Sequence, residues 1–298
     1  MLMRSATAER ADNMATFTMA DGSALHRVDW PTGGASPRGT VLIVHGLGEH
    51  IGRYAHVAQR LNRAGWAVVG YDQRGHGRSP GARGAIPHSD ALLADLSAVL
   101  SQLRREQPPG LPLLLLGHSM GGAVTARHVA EGLAPRPAAW WQAVDGLVLS
   151  SPLLAVDMTA VQSLMLAVFG TLAPSLAVGN GLKPEWICRD AAVVKAYVAD
   201  PLVHNRVTPR LARFFIDASA LVRQRAAQWR LPTLLLYAGA DRCVAPRGSA
   251  GFVAAAPAAV LHSRRYDGLF HEIFNEPEQA QVLDDLVAWL DNRWPAAH

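Results

Sequence analysis

Gly117-His118-Ser119-Met120-Gly121-Gly122 places a serine where it could act as a nucleophile in acyl transfer. The stretch follows Leu111-Pro112-Leu113-Leu114-Leu115-Leu116, an apolar run short enough to be a buried strand. It precedes Ala123-Val124-Thr125-Ala126-Arg127-His128-Val129-Ala130, which reads as a helix. A G-x-S-x-G sequence at a strand-to-helix turn is the setting of a nucleophile elbow. So tight a turn strains the backbone at the serine and requires small residues two positions before and after it. The helix that starts there points free N–H groups at the same spot, ready for an anion.

A serine hydroxyl is a poor nucleophile at neutral pH, so it needs a base, and the base needs an orienting acid. In folds that carry this elbow the partners follow in the chain order Ser, acid, His. Asp241 ends Leu234-Leu235-Leu236-Tyr237-Ala238-Gly239-Ala240, at the carboxyl tip of an expected strand. Asp217 falls on an expected helix and Asp200 precedes Pro201, whereas Asp267 is near another strand tip and remains a competitor. After Asp241 only His262, His271 and His298 follow. His262 sits in or at the start of a strand and His298 is the last residue, while His271 lies in a loop before the last helix. The oxyanion needs two backbone donors. Met120 N–H, next to the nucleophile, is one. Leu47 N–H, in the loop His45-Gly46-Leu47-Gly48, is the other, and losing one such donor typically costs ~3–4 kcal/mol of transition-state stabilisation. The same loop resembles a dinucleotide fingerprint, but Gly52 comes one residue late for G-x-G-x-x-G and that reading is set aside.

These residues need a scaffold that brings strand tips together. Thr16 to Met19 and Ala24 to Trp30 flank Asp21-Gly22 as a hairpin. Thr40–Val44, Trp66–Tyr71, Leu111–Leu116, Asp145–Ser150, Pro232–Tyr237 and about Val260 to Tyr266 read as buried strands. Between them come helices at Arg53 to Ala64, at Ser89 to Arg105 and after the elbow, with a closing helix from about Glu278 to Trp294. Strands alternating with helices imply βαβ units, a mostly parallel eight-stranded sheet, and a site outside the carboxyl ends of its strands. In the loop Asp72 to Ser79, Asp72 and Arg74 are expected to pair and hold the turn.

One long piece, 152–229, breaks the alternation. Thr208-Pro209 caps a helix from Arg210 to Gln228, and Asp190 to Val198 is a shorter one. Met158 to Leu182 carries no charge, so it reads as a buried core helix or as the greasy face of a cap. A membrane span is discounted because Gln162, Ser163, Pro174, Ser175 and Asn180 interrupt it. The expected organisation is a core in two parts, 1–151 and 230–298, around a helical cap at 152–229, with 1–13 disordered and Met14 an alternative start.

Composition narrows the function classes. The 298 residues carry a net charge of +4, but no run of five like charges marks a nucleic-acid footprint. Arginine and alanine dominate over lysine, a usage resembling GC-rich bacterial genomes. Cys188 and Cys243 fit neither a metal spacing nor a disulfide framework. Cys243, two residues past Asp241, is expected to make activity sensitive to thiol reagents. Without an apolar leader the N-terminus is no secretory signal, and a cytoplasmic enzyme is the simplest expectation.

Five stretches together carry a family resemblance: His45-Gly46-Leu47-Gly48-Glu49-His50 with Arg53-Tyr54; Tyr71 to Ser79; Gly117 to Gly122; Gly239-Ala240-Asp241; and Tyr266-Asp267-Gly268-Leu269-Phe270-His271-Glu272. Asp200-Pro201-Leu202-Val203-His204 and Thr208-Pro209-Arg210 match as well. The chain resembles the monoacylglycerol lipase and lysophospholipase branch of the α/β-hydrolases, also filed with the serine aminopeptidases. That resemblance implies the α/β-hydrolase fold with an inserted cap, and favours Asp241 over Asp267. It implies Ser119, Asp241 and His271 as the triad and Leu47 and Met120 as oxyanion donors. It implies hydrolysis of single-chain lipid esters under an apolar cap, with no metal or cofactor and with transient contact to a membrane or micelle surface. A short-acyl carboxylesterase or thioesterase is the nearest alternative; a non-catalytic ligand-binding member of the fold is a remoter one.

Overall fold

The computed structural model describes residues 15–34, 36–156 and 159–295. The disorder expected for 1–13, the start at Met14 and His298 lie outside the described residues. The hairpin forms as β1 (Thr16–Thr18) and β2 (Ala24–Trp30), paired antiparallel. The expected βαβ alternation follows: β3 (Thr40–Val44), α1 (Ala55–Arg63), β4 (Ala67–Tyr71), α2 (Ala91–Glu106), β5 (Leu113–His118), α3 (Met120–Glu131) and β6 (Gly146–Ser150). After an intervening piece come β9 (Thr233–Ala238), α7 (Pro246–Ala255), β10 (Leu261–Tyr266) and α8 (Gln279–Arg293). One eight-stranded sheet results, in the order β1-β2-β4-β3-β5-β6-β9-β10, parallel from β4 to β10.

The apolar runs explain why the central strands sit in the middle. Alternate residues of a strand face opposite ways, so a run that is apolar throughout can bury both faces. Leu42, Val44, Leu113, Leu115, Leu147, Leu149 and Leu235 pack into one core with α2, α3 and α7. Ile43, Leu114, Leu116, Val148, Leu234 and Leu236 pack into a second core with α1 and α8. Because β3, β5, β6 and β9 run parallel, their carboxyl ends share one edge, and the loops that follow them meet there.

The intervening piece contains α4 (Ala160–Leu172), β7 (Val178–Gly179), α5 (Ala191–Ala199), β8 (Arg206–Val207) and α6 (Pro209–Arg225). Thr208 Oγ1 accepts the N–H of Leu211 and caps α6 ahead of Pro209, as the Thr-Pro pair suggests. Asp190 caps α5 by accepting the N–H of Ala192 at 2.8 Å. α6 packs on α3, its Leu211, Phe214, Ala218 and Val222 joining the first core.

Two local expectations are corrected. α4 is no buried core helix: Met165, Val168, Phe169 and Leu172 are exposed, Leu172 to 78%. Apolar composition records what a surface prefers, not what covers it. Asp72 does not pair with Arg74. Its carboxylate accepts the N–H groups of Ile51 and Arg78, both at 2.7 Å. Arg74 is long enough to reach Asp95 on α2 at 2.7 Å and Asp21 in the hairpin turn at 2.8 Å. The Asp72–Ser79 loop is thus held by a strand-tip carboxylate that gathers backbone donors, not by a local ion pair.

Candidate active site

The elbow forms between β5 and α3. Ser119 adopts φ 53° and ψ −116°, outside the regions open to ordinary residues. The turn is locked on both sides: Ser119 N–H donates to Ser150 O at 3.1 Å, and Ser119 O accepts from Ala123 and Leu153, both at 3.0 Å. The flanking glycines are required by close approach. A Cβ at Gly117 would lie 2.3 Å from Thr125 Oγ1, and one at Gly121 would lie 2.0 Å from Val44 O. Substituting either would push α3 off β5 or β3.

Asp241 lies three residues past the end of β9, and His271 in the loop between β10 and α8. The structure brings them together: His271 Nδ1 donates to Asp241 Oδ2 at 2.7 Å, with the carboxylate side chain 2% and the imidazole 7% exposed. Asp241 Oδ1 is fixed in turn by the N–H groups of Cys243 at 2.8 Å and Val244 at 3.0 Å. Burial by itself would lower the imidazole's pKa, but the Asp241 charge and hydrogen bond outweigh it and hold it above the ordinary 6.5. Burial likewise works to raise Asp241, and the His271 contacts override it downward. The rival Asp267 is left outside: it pairs with Arg265 at 2.8 Å and its side chain is 84% exposed.

Ser119 and His271 line one cavity of about 340 Å³ together with Leu47, His118 and Cys243. Ser119 Oγ and His271 Nε2 are not hydrogen-bonded to each other. Leu47 is a loop residue after β3 and Met120 opens α3, and neither N–H donates to a loop or turn carbonyl. Leu182, Ile187 and Val198 supply apolar wall from the β6–β9 piece, and Lys183 and Asp200 supply charge. Asp241, Cys243 and His271 also offer ligand atoms within 4.8 Å of one another, enough to hold a metal ion. Asp241 and His271 already satisfy each other at that spot, so a bound ion would have to break their pair.

Several residues around the site were visible in the sequence only as motif letters without a role. His118 donates to or accepts from Ser150 Oγ at 3.0 Å, and its ring centre lies 4.7 Å from that of His271. Burial first, and then the charge His271 carries when protonated, lower it to about 3, so it stays neutral beside the pair. Glu49, Arg53 and Glu272 form a buried ion chain under the Leu47 loop. Glu49 and Arg53 are an i,i+4 pair, but no spacing rule could have joined them to Glu272, which comes from the other end of the sequence.

Cys243 is a different case. Burial and then the Asp241 carboxylate push its thiol well above 9.0, which keeps the reactive thiolate scarce near neutral pH. The expected thiol sensitivity therefore takes a slow form. Iodoacetamide should inactivate over hours at pH 7.5, and Cys243→Ser should abolish that slow phase. Full activity after complete alkylation of Cys243 would contradict it.

A family model described as serine aminopeptidase S33 matches residues 35–278. A monoacylglycerol lipase of Mycolicibacterium smegmatis is 38% identical over 85% of this chain and 88% of its own length. Phospholipase YtpA of Bacillus subtilis is 32% identical over 88% of this chain and 98% of its own. Among solved structures, the monoacylglycerol lipase of Paleococcus ferrophilus superposes with a TM-score of 0.78 at 32% identity, covering 90% of this chain and 98% of that one.

Proposed function

The chain belongs to the serine aminopeptidase S33 family of α/β-hydrolases, in its monoacylglycerol lipase branch, and from that premise we propose that it hydrolyses single-chain lipid esters. The favoured substrate is monoacylglycerol, cleaved to fatty acid and glycerol, with lysophospholipid next. The observation that carries the proposal is the buried His271–Asp241 pair opening on the same cavity as the strained Ser119.

In this reading His271 takes the Ser119 proton through Nε2 as the oxygen attacks the ester carbonyl. Asp241 holds the proton on Nδ1 and steadies the imidazolium that forms. The free N–H groups of Leu47 and Met120 receive the oxyanion. His271 then gives its proton to the leaving alcohol, and a water molecule releases the acyl group by the same route in reverse. No step calls on a metal or cofactor.

The β6–β9 piece acts here as a cap. Its exposed Met165, Val168, Phe169, Leu172 and Leu176 form an apolar face suited to a membrane or micelle surface, from which a single-chain ester is drawn. Among the described residues no helix is long and apolar enough to cross a membrane. The lysophospholipid reading draws on the likeness to the Bacillus phospholipase.

The test is a panel of monoacylglycerols, lysophospholipids and p-nitrophenyl esters of increasing chain length. We expect kcat/KM to rise from short to long acyl chains and monoacylglycerol to be turned over. Activity that falls steeply beyond short chains, with monoacylglycerol inert, would assign the protein to short-acyl carboxylesterases or thioesterases instead.

A further inference from the structure

A buried ion chain lies under both halves of the proposed machinery. Glu49 Oε1 accepts the N–H of Gly46 at 2.6 Å and the hydroxyl of Tyr54 at 2.7 Å. Arg53 Nη1 donates to Glu49 Oε2 at 2.8 Å and to Glu272 Oε1 at 2.6 Å, and its Nη2 to Glu272 Oε2 at 2.6 Å. The carboxylate side chains are 5% and 7% exposed, and the guanidinium 11%. One cation is thus shared by two buried anions.

Such an arrangement is costly as a fold-stabilising device. Taking charges out of water costs several kcal/mol per ion, and an apolar replacement often does as well. Its position suggests another use. A Cβ at Gly46 would lie 2.8 Å from Glu49 Oε1 and 3.2 Å from Ser119 Cβ, so the Glu49 carboxylate and Ser119 both crowd the Gly46 backbone. A bare anion there would oppose the oxyanion forming on the Leu47 loop. Glu272 directly follows His271, and its N–H is held by Ile187 O at 2.8 Å. Both carboxylates act on His271 in the direction that favours the imidazolium, the form that cannot serve as base. The guanidinium offsets both, and it also packs 4.9 Å from the Tyr197 ring centre on α5.

We infer that Arg53 is a positioning residue: by bridging Glu49 and Glu272 it fixes the Leu47 loop and balances the two carboxylates that flank the site. The inference rests on the Ser119–His271–Asp241 reading above.

Arg53→Met removes the charge and keeps most of the volume. It should lower kcat about 10- to 100-fold with KM changed far less. It should also move the acid inflection of kcat/KM upward by about one pH unit, because two uncompensated carboxylates now stabilise the imidazolium. Arg53→Lys should restore the inflection toward that of the parent. Glu272→Gln leaves the Arg53–Glu49 pair intact and should move the inflection the opposite way, to lower pH. The Glu272 variant keeps the test open if Arg53→Met does not fold. An Arg53→Met enzyme that melts normally and loses activity by the same factor at every pH would overturn the inference, as would a Glu272→Gln profile that does not move. Fluorophosphonate labelling of the parent separates the two levels: no label on Ser119 removes the triad reading itself, whereas a normal label with unmoved inflections removes only the role of Arg53.

Discussion

Ser119→Ala should abolish ester hydrolysis, by about four to six orders of magnitude, and abolish labelling by a fluorophosphonate probe. The size follows from the proposed division of labour. The oxyanion donors and the cavity remain, but the acyl intermediate can no longer form on position 119. A second variant at the same position separates chemistry from folding. Ser119 sits at φ 53° and ψ −116°, a conformation that costs about 1–3 kcal/mol for a residue with a Cβ. Glycine takes that backbone without strain, although it loses roughly 0.5–1 kcal/mol through the freedom of the unfolded chain. Ser119→Gly should therefore be as inactive as Ser119→Ala and melt about 2–4 °C higher. A glycine variant that melts lower than the parent would mean that the strain at the elbow is not carried by the serine. An alanine variant that is labelled as fast as the parent would remove Ser119 from the mechanism.

Asp241→Asn should lower kcat about 10⁴-fold while leaving KM within a few-fold. The structure supplies the reason atom by atom. Oδ1 accepts two backbone N–H groups, from Cys243 and Val244, and an amide nitrogen cannot replace it there. The asparagine oxygen must occupy the Oδ1 position, which turns the NH₂ group toward His271. Facing a donor, His271 Nδ1 becomes an acceptor and its proton moves to Nε2. An imidazole with its proton on Nε2 cannot take one from Ser119. The loss should persist at every pH, since it is one of tautomer and not of titration. Activity recovered at high pH would point to charge alone and contradict the account. Asp267→Asn, at an exposed side chain paired with Arg265, should leave kcat/KM unchanged.

The elbow and the succession of strands and helices along the chain were legible because both are local. A turn that must bring Thr125 Oγ1 within 2.3 Å of where a Cβ would stand needs glycine at position 117, and the requirement is written within a few residues. Apolar runs such as Leu113 to Leu116 mark strands buried on both faces, with residues alternating between the two cores. The shared edge for Ser119, Asp241 and His271 then follows from parallel pairing, which puts all the strand tips at one end. Asp241 itself was not separable from Asp267 by position, since both follow strands. Burial separates them in the folded chain, one carboxylate enclosed with His271 and the other left in water with Arg265.

The sequence by itself determined the order of elements, the strained serine and the short set of acids and bases able to reach it. Periodicity and turn chemistry encode which way a residue faces and where the chain must bend, and these are properties of neighbours along the chain. Only the tertiary structure decided which charges share the interior. Arg53 and Glu272 lie 219 residues apart in the chain, and no pattern in one segment can announce a partner in another. The same limit explains Asp72, which gathers backbone N–H groups instead of Arg74, and α4, whose Met165, Val168, Phe169 and Leu172 are exposed. A side chain's chemistry states what it needs; the packing of distant segments decides what it meets.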